Sequence, residues 1–229
     1  MKQKKLHTAV RYALTGLTLF TTSLLVQAQE VTEETTEAKD LERIAVVGAR
    51  GAPRSVTSSP VPVDVLTAED VEAVAFTDMN NVLMTLVPSY SVGRQPISDG
   101  GTFIRPATLR GMPTDKTLVL VNSKRRHRAA LVSIGGSGTQ GPDIATIPTA
   151  AIQSVEVLRD GAAAQYGSDA IAGVINFQLK NNTEGGSFTA DYGSYYEGDG
   201  DQITVTGNKG FALGDDGFFS ISAEYSDSE

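Results

Sequence analysis

The sequence predicts an α/β domain with a small mixed sheet and short helices, followed by the first antiparallel strands of a β-barrel that the chain does not close. Three observations carry this reading. Between residues 60 and 180, short β-branched runs are interleaved with short amphipathic segments that begin on capping residues. From residue 186 the pattern changes to strict two-residue alternation of aromatic or aliphatic side chains with Ser, Thr, Asp and Asn. Charge divides at the same place: residues 44–183 hold twelve bases and eleven acids, whereas 185–229 hold nine acids, one base and eight of the 15 aromatics.

The totals of 229 residues and net charge −8 average over these unlike parts. The acidic balance argues against a nucleic-acid partner, which would select a basic excess. The chain has no Cys, so it has no disulfide, no thiolate metal site and no Cys nucleophile. His7 and His127 are its two histidines, which excludes a multi-His metal site.

Residues 1–28 read as an export signal. Lys2, Lys4, Lys5 and Arg11 precede an apolar run over 12–26, and Val26-Gln27-Ala28 places small residues for cleavage before Gln29. The apolar run is too short for a span, which needs about 20 residues. Residues 29–43 hold six acids and two bases with little apolar content, the composition of a flexible tether. The acidic tether with the short segment after it occupies 29–50, and the α/β domain 51–183.

Within that domain, 61–66 is a strand candidate. Thr67 then caps a helix over 68–75, with Asp70 three positions on and Glu69 and Glu72 in the first turns. A second helix fits 78–86, with Val82, Leu83 and Leu86 on one stripe and Pro88 ending it. Residues 117–121 (TLVLV) form a buried strand, and 154–158 and 173–179 two more, with a helical turn over 162–166. Gly- and Ser-rich loops occupy 89–103 and 133–146.

Four blocks occur in order: 63–71 (VDVLTAEDV), Leu109-Arg110-Gly111-Met112 with 117–122, Ile147-Pro148 with 152–159, and 166–176 (YGSDAIAGVIN). Together they resemble the plug domain of TonB-dependent outer-membrane receptors, over about residues 60–180. Two turns depart from the family pattern. Asp160-Gly161 stands where the family has Gly-Pro, and Asn122-Ser123 where it has Asp-Gly. Both are expected at positions that tolerate φ > 0.

In 185–229, Phe188, Ala190 and Tyr192 point one way and Ser187, Thr189 and Asp191 the other. Ile203, Val205 and Phe211 alternate with Thr204, Thr206 and Asn208, and Phe219, Ile221, Ala223 and Tyr225 with Ser220, Ser222, Glu224 and Ser226. Turns are expected at 197–201 and 214–217. This is the pattern of transmembrane barrel strands, polar inside and apolar outside. Three strands leave open edges, which hydrocarbon does not tolerate. The chain is therefore expected to be the N-terminal part of a longer outer-membrane receptor.

Functional candidates follow from the same residues. Ile44-Ala45-Val46-Val47-Gly48 is a short β-prone run beside a flexible tether, suited to strand addition onto a partner's sheet edge or else an ordinary first strand. The resemblance implies that it is the TonB box, engaged by the TonB-type energy-transducing protein of the inner membrane. The resemblance also places Arg110 and Arg159 where plug arginines pair with barrel carboxylates, and a buried guanidinium needs such a partner. The basic run Lys124-Arg125-Arg126-His127-Arg128 is either a solvated loop or, with Arg94 and Arg105, a ligand-facing surface that attracts anionic cargo. No catalytic constellation, cofactor site or metal site is visible, and an enzyme is not expected. The resemblance implies an importer of a scarce nutrient such as a ferric siderophore, with cobalamin and oligosaccharides as alternatives. It implies outer-membrane lipid around the barrel and the plug at the periplasmic side of its lumen. A stand-alone periplasmic plug-like module and a passive blocked porin are the other readings.

Overall fold

The computed structural model describes residues 62–229, except 75–77, 94–98, 133–137, 197–199, 216 and 229, together with 44–45 and 54–55. The export signal and the acidic tether read above lie outside the described residues.

β1 (Ile44–Ala45) pairs antiparallel with β2 (Arg54–Ser55). β3 (Val63–Thr67) runs straight into α1 (Ala68–Glu72), because Thr67 ends the strand and caps the helix at once. Its side chain accepts from Asp70 N at 3.2 Å while Asp70 Oδ2 accepts from Thr67 N at 2.8 Å, a closed capping box. α1 ends at Glu72, short of the expected 75. α2 (Met79–Leu86) starts on Asp78, whose carboxylate accepts from Asn80 N at 3.0 Å. It buries Met79, Val82 and Leu83.

The central sheet has the order β3-β8-β9-β6-β7, from β8 (Ile152–Leu158), β9 (Gly173–Leu179), β6 (Thr117–Val121) and β7 (Lys124–Arg125). β6 and β9 are parallel, and the other pairs are antiparallel. This is the small mixed sheet the sequence predicts. β8 begins two residues earlier than expected, at Ile152. β4 (Tyr90–Ser91) falls in the segment 89–103 read as a loop, and its partner β5 (Thr108–Leu109) and β7 fall where no strand is expected. A helical turn, α3 (Ala163–Tyr166), precedes β9.

Both faces of the sheet are covered. One carries Leu66, Val119, Val155, Val157, Ile175 and Phe177 against α1, α2 and the chain around Tyr90, Leu109 and Ile144. The other carries Val63, Val65, Leu118, Leu120, Leu158 and Val174 against Ala162, Tyr166 and Ala170. Burial of continuous Val, Ile and Leu runs on two faces is why these strands read as unbroken apolar stretches. Gly173 starts β9 at φ 144, where a Cβ would lie 2.4 Å from Leu158 O.

β10 (Gly186–Gly193), β11 (Gln202–Leu213) and β12 (Gly217–Ser228) form a separate antiparallel meander. Residues facing each other across an antiparallel pair share a face. One face therefore carries Ser187, Asn208 and Ser222, then Thr189, Thr206 and Glu224, then Asp191, Thr204 and Ser226. The opposite face carries Tyr192 with Ile203, Ala190 with Val205 and Tyr225, and Phe211 with Phe219. Thr204, Thr206 and Asn208 are 1%, 7% and 7% exposed, whereas Ile203, Ile221 and Tyr225 are 48%, 53% and 63% exposed. On β11, the central strand of the three, the polar side chains are buried and the apolar ones largely exposed, the inverted alternation of barrel strands, while β10 is exposed on both faces. The turn Thr149–Ala151 packs against β11 and β12.

Candidate functional site

The basic run sits on a hairpin that the sheet itself dictates. β6 and β7 join through Asn122-Ser123, with φ 48 and 63, the paired left-handed turn that suits the twist of two strands. The expectation of positive φ holds here; at Asp160-Gly161 it does not, since neither residue has positive φ. There Gly161 N instead donates to Asp160 Oδ1 at 2.7 Å. Asn122 Oδ1 accepts from Leu179 N at 2.8 Å, and Ser123 N donates to Asn176 Oδ1 at 3.0 Å. Asn176 is fully buried and donates in turn to the buried Glu156 at 3.0 Å. The hairpin is thus pinned to the middle of the sheet through two buried polar side chains.

From that hairpin Arg125 donates to Asp169 Oδ2 at 2.7 Å and to Tyr166 O, and Arg128 reaches Asp169 Oδ1 at 3.1 Å. Arg126 points elsewhere. Its Nε donates to Asp143 O at 2.8 Å and its Nη2 to Thr146 Oγ1 at 2.6 Å. His127 is exposed. Arg125, Arg126, His127 and Arg128 line a cleft of about 220 Å³ together with Thr114, Asp115, Gln140 and Asp169. Three guanidiniums face two carboxylates there, so the cleft has a positive excess and several hydroxyl and amide groups beside it.

Arg105 takes a different place. It is 21% exposed and forms an ion pair with Asp78, the residue that caps α2. Its backbone N donates to Asp143 Oδ1 at 3.4 Å, so Asp143 holds both the Arg105 segment and Arg126. Tyr90 lies against this knot and donates to the buried Asn80 Oδ1 at 2.6 Å. Burial above all, then the nearby Asp78 carboxylate, pushes its phenol far above the ordinary tyrosine range. Arg94 lies outside the described residues.

Arg110 and Arg159 are brought to the same end of β8. Arg110 has φ 56 and Gly111 φ 65, a tight turn closed by Met112 N donating to Leu109 O at 3.1 Å. A left-handed arginine is strained backbone, of the kind held in place at functional positions. Its Nη2 donates to Ile171 O at 3.0 Å, and its Nη1 lies 3.9 Å from Asp160. Arg159 Nε lies 2.7 Å from Asp64 Oδ2. Both side chains remain about 40% exposed, at 42% and 40%, so each guanidinium has an open edge. Sequence reasoning found these arginines but not the left-handed turn that aims Arg110.

Of the segment 44–48, Ile44 and Ala45 are the two residues of β1, and 46–48 lie outside the described residues. Among the described residues there is no group of His, Cys, Asp and Glu that could hold a metal ion, and no helix long and apolar enough to cross a membrane.

The family model for the TonB-dependent Receptor Plug Domain matches residues 55–174, more than half of the chain. The chain is 31% identical over 167 residues to the iron-regulated outer membrane virulence protein of Vibrio cholerae, covering 72% of this chain and 23% of that protein. It is 33% identical over 161 residues to the probable TonB-dependent siderophore receptor PirA of Acinetobacter baumannii, covering 69% of this chain and 20% of that one. The crystal structure of that siderophore receptor superposes with TM-score 0.54 and 28% identity over 73% of this chain and 24% of the receptor. The ferric enterobactin receptor of Pseudomonas aeruginosa in complex with enterobactin superposes with TM-score 0.58 over 74% and 25%, at 22% identity, and shares the fold. The chain thus spans about a quarter of the length of the relatives it matches.

Proposed function

The chain belongs to the TonB-dependent receptor plug family, and on that premise we propose that it forms the plug and first wall strands of an outer-membrane receptor that imports a ferric siderophore under TonB-coupled energy. The observation that carries this is the inverted pattern centred on β11. Its Thr204, Thr206 and Asn208 are buried on the side that meets the turn Thr149–Ala151, while Phe, Ile and Tyr of β11 and β12 face out, the arrangement of a wall between a filled lumen and lipid. The names of the Vibrio and Acinetobacter relatives, both tied to iron or siderophores, support the cargo class.

In this reading residues 1–28 are the cleaved export signal, 29–50 the tether with its TonB box, 51–183 the plug and 185–229 the first three wall strands. Ile44 to Gly48 pair with the energy-transducing protein by strand addition. The cleft around Arg125, Arg126, His127 and Arg128 attracts the anionic ferric complex, and Arg105 holds the adjoining loop in place. The open edges of Arg110 and Arg159 take wall carboxylates in charge-assisted pairs.

Uptake of radioactive iron as ferric enterobactin, in cells whose sole receptor is the full protein, tests the proposal. Uptake should require the energy-transducing protein and should vanish on deletion of 44–48, with binding of the ferric complex retained. Uptake that survives the deletion contradicts the energy-coupling assignment. Charge reversal at Arg110 and Arg159 together should admit large antibiotics; unchanged permeability contradicts the wall pairing.

A further inference from the structure

The wall meets the plug along a short stretch of chain. We infer that this stretch, residues 180–185 with the turn Thr149–Ala151, is the fixed end of the plug, a joint centred on Asn182 and Gly210 that stays closed while the receptor works. The inference rests on the plug-and-wall reading above and deepens it.

The joint is built from both sides. Lys180 N donates to Ala151 O at 2.9 Å, tying the connecting segment to the start of β8. Two residues on, Ser220 Oγ of β12 donates to Asn182 Oδ1 at 3.2 Å. Ser220 in turn accepts from Asn208 Nδ2 at 2.9 Å, and the same amide reaches Ser222 Oγ at 2.9 Å. This network runs from the connecting segment into the buried face of the wall. Gly210 lies beneath it, and a Cβ there would stand 2.2 Å from Asn182 O and 2.5 Å from Asn182 Nδ2. The missing side chain is therefore the seat on which Asn182 rests. Gly210 N also donates to Gly185 O at 3.2 Å. Beside the seat, Thr149 N donates to Glu224 Oε2 at 3.3 Å, so the wall holds the plug on both sides of Lys180.

The contacts are polar, and most lie on the inner face of the wall. Opening the joint breaks the bonds of Ser220 to Asn182, of Gly210 to Gly185 and of Thr149 to Glu224, which water would have to replace. At the N-terminal end of the described chain, β1 is paired with β2 over two residues and lies beside β3. A pull on the plug from that end moves β1 and β2 first and leaves Asn182 seated.

Residues 1–229 hold no cysteine, so in the full receptor, with any cysteine outside them replaced by serine, a single introduced pair can bolt the joint. Asn182→Cys with Ser220→Cys, bridged by a short reducible bis-methanethiosulfonate linker, should bind and import ferric enterobactin at the unbridged rate. Loss of import on bridging, restored by reduction, would overturn the inference. A second measurement is independent of the cargo. In the receptor in phospholipid bilayers, the amides of Lys180 and Gly210 should be better protected from hydrogen exchange than those of Val63–Thr67. Gly210→Ala should remove that protection, and Gly207→Ala, whose Cβ would meet nothing closer than 3.7 Å, should retain it. Equal or lower protection at Lys180 and Gly210 contradicts the joint even if the receptor imports something else. Absence of ferric enterobactin binding by the unmodified receptor contradicts the cargo assignment instead.

Discussion

The plug sheet and the wall strands obey opposite rules. In β3, β6, β8 and β9 the buried side chains are mainly Val, Leu, Ile and Phe, on both faces, with the hydrogen-bonded Thr117, Glu156 and Asn176 among them. In β11 the buried ones are Thr204, Thr206 and Asn208, and the exposed ones include Ile203 and Phe211. An apolar side chain goes where water is not. In the plug that place is the interior, and in the wall it is the outside. Position along the strand therefore reports the surrounding solvent, and a substitution should have opposite consequences in the two regions.

The largest contrast is a ring deletion. Phe177→Ala in the fully buried plug core should cost about 3–5 kcal/mol, read as lost hydrogen-exchange protection across β6, β8 and β9. Phe219→Ala on the wall should leave that protection unchanged. Next comes charge on the outer face. Ala223→Arg should cost about 2–4 kcal/mol near the bilayer midplane, read as a lower urea midpoint for folding into vesicles. An unchanged midpoint would show that this face does not meet hydrocarbon. The smallest effect belongs to the polar knot inside the plug. Tyr90→Phe leaves the buried Asn80 without its 2.6 Å donor and should cost about 1–3 kcal/mol. The same group fixes a pH dependence. Its unfolded value is near 10.0 and burial raises the folded one, so its contribution to stability is whole below pH 10 and declines as pH rises beyond it. The Tyr90→Phe plug should lose that alkaline decline.

How much of this was legible depended on whether local chemistry or distant partners decided the outcome. β9 was read to its true bounds because the run 173–179 is apolar and starts on a glycine whose φ no other residue adopts easily. The cap at Thr67 was legible because Asp70 is three residues away. The wall alternation was legible because its period is two along most of each strand, with Lys209 on the apolar face and Phe218 on the polar one as the exceptions. β7 was not, since Lys124 and Arg125 carry no strand signal and their pairing comes from the Asn122-Ser123 turn and its bonds to Asn176 and Leu179. β4 and β5 were missed because each is two residues long and pairs across 17 positions of sequence, as the Ser91–Thr108 contact shows. Among the site residues, charge pointed to Arg105 and Arg126, but only the fold reveals that Asp143 joins them. The strained turn at Arg110 has no signal in an arginine.

The proposed wall strands are to face lipid on one side and the plug on the other, and one measurement tests this directly. Single cysteines placed at positions 220 to 225 of the full receptor, otherwise free of cysteine in this region, can carry nitroxide labels in a phospholipid bilayer. Collision with dissolved oxygen should be high at 221, 223 and 225. At 220, 222 and 224 both oxygen and a water-soluble nickel chelate should be excluded or weak, because the plug covers them. Collision rates without a two-residue period, or oxygen contact at 220, 222 and 224 instead, would contradict it.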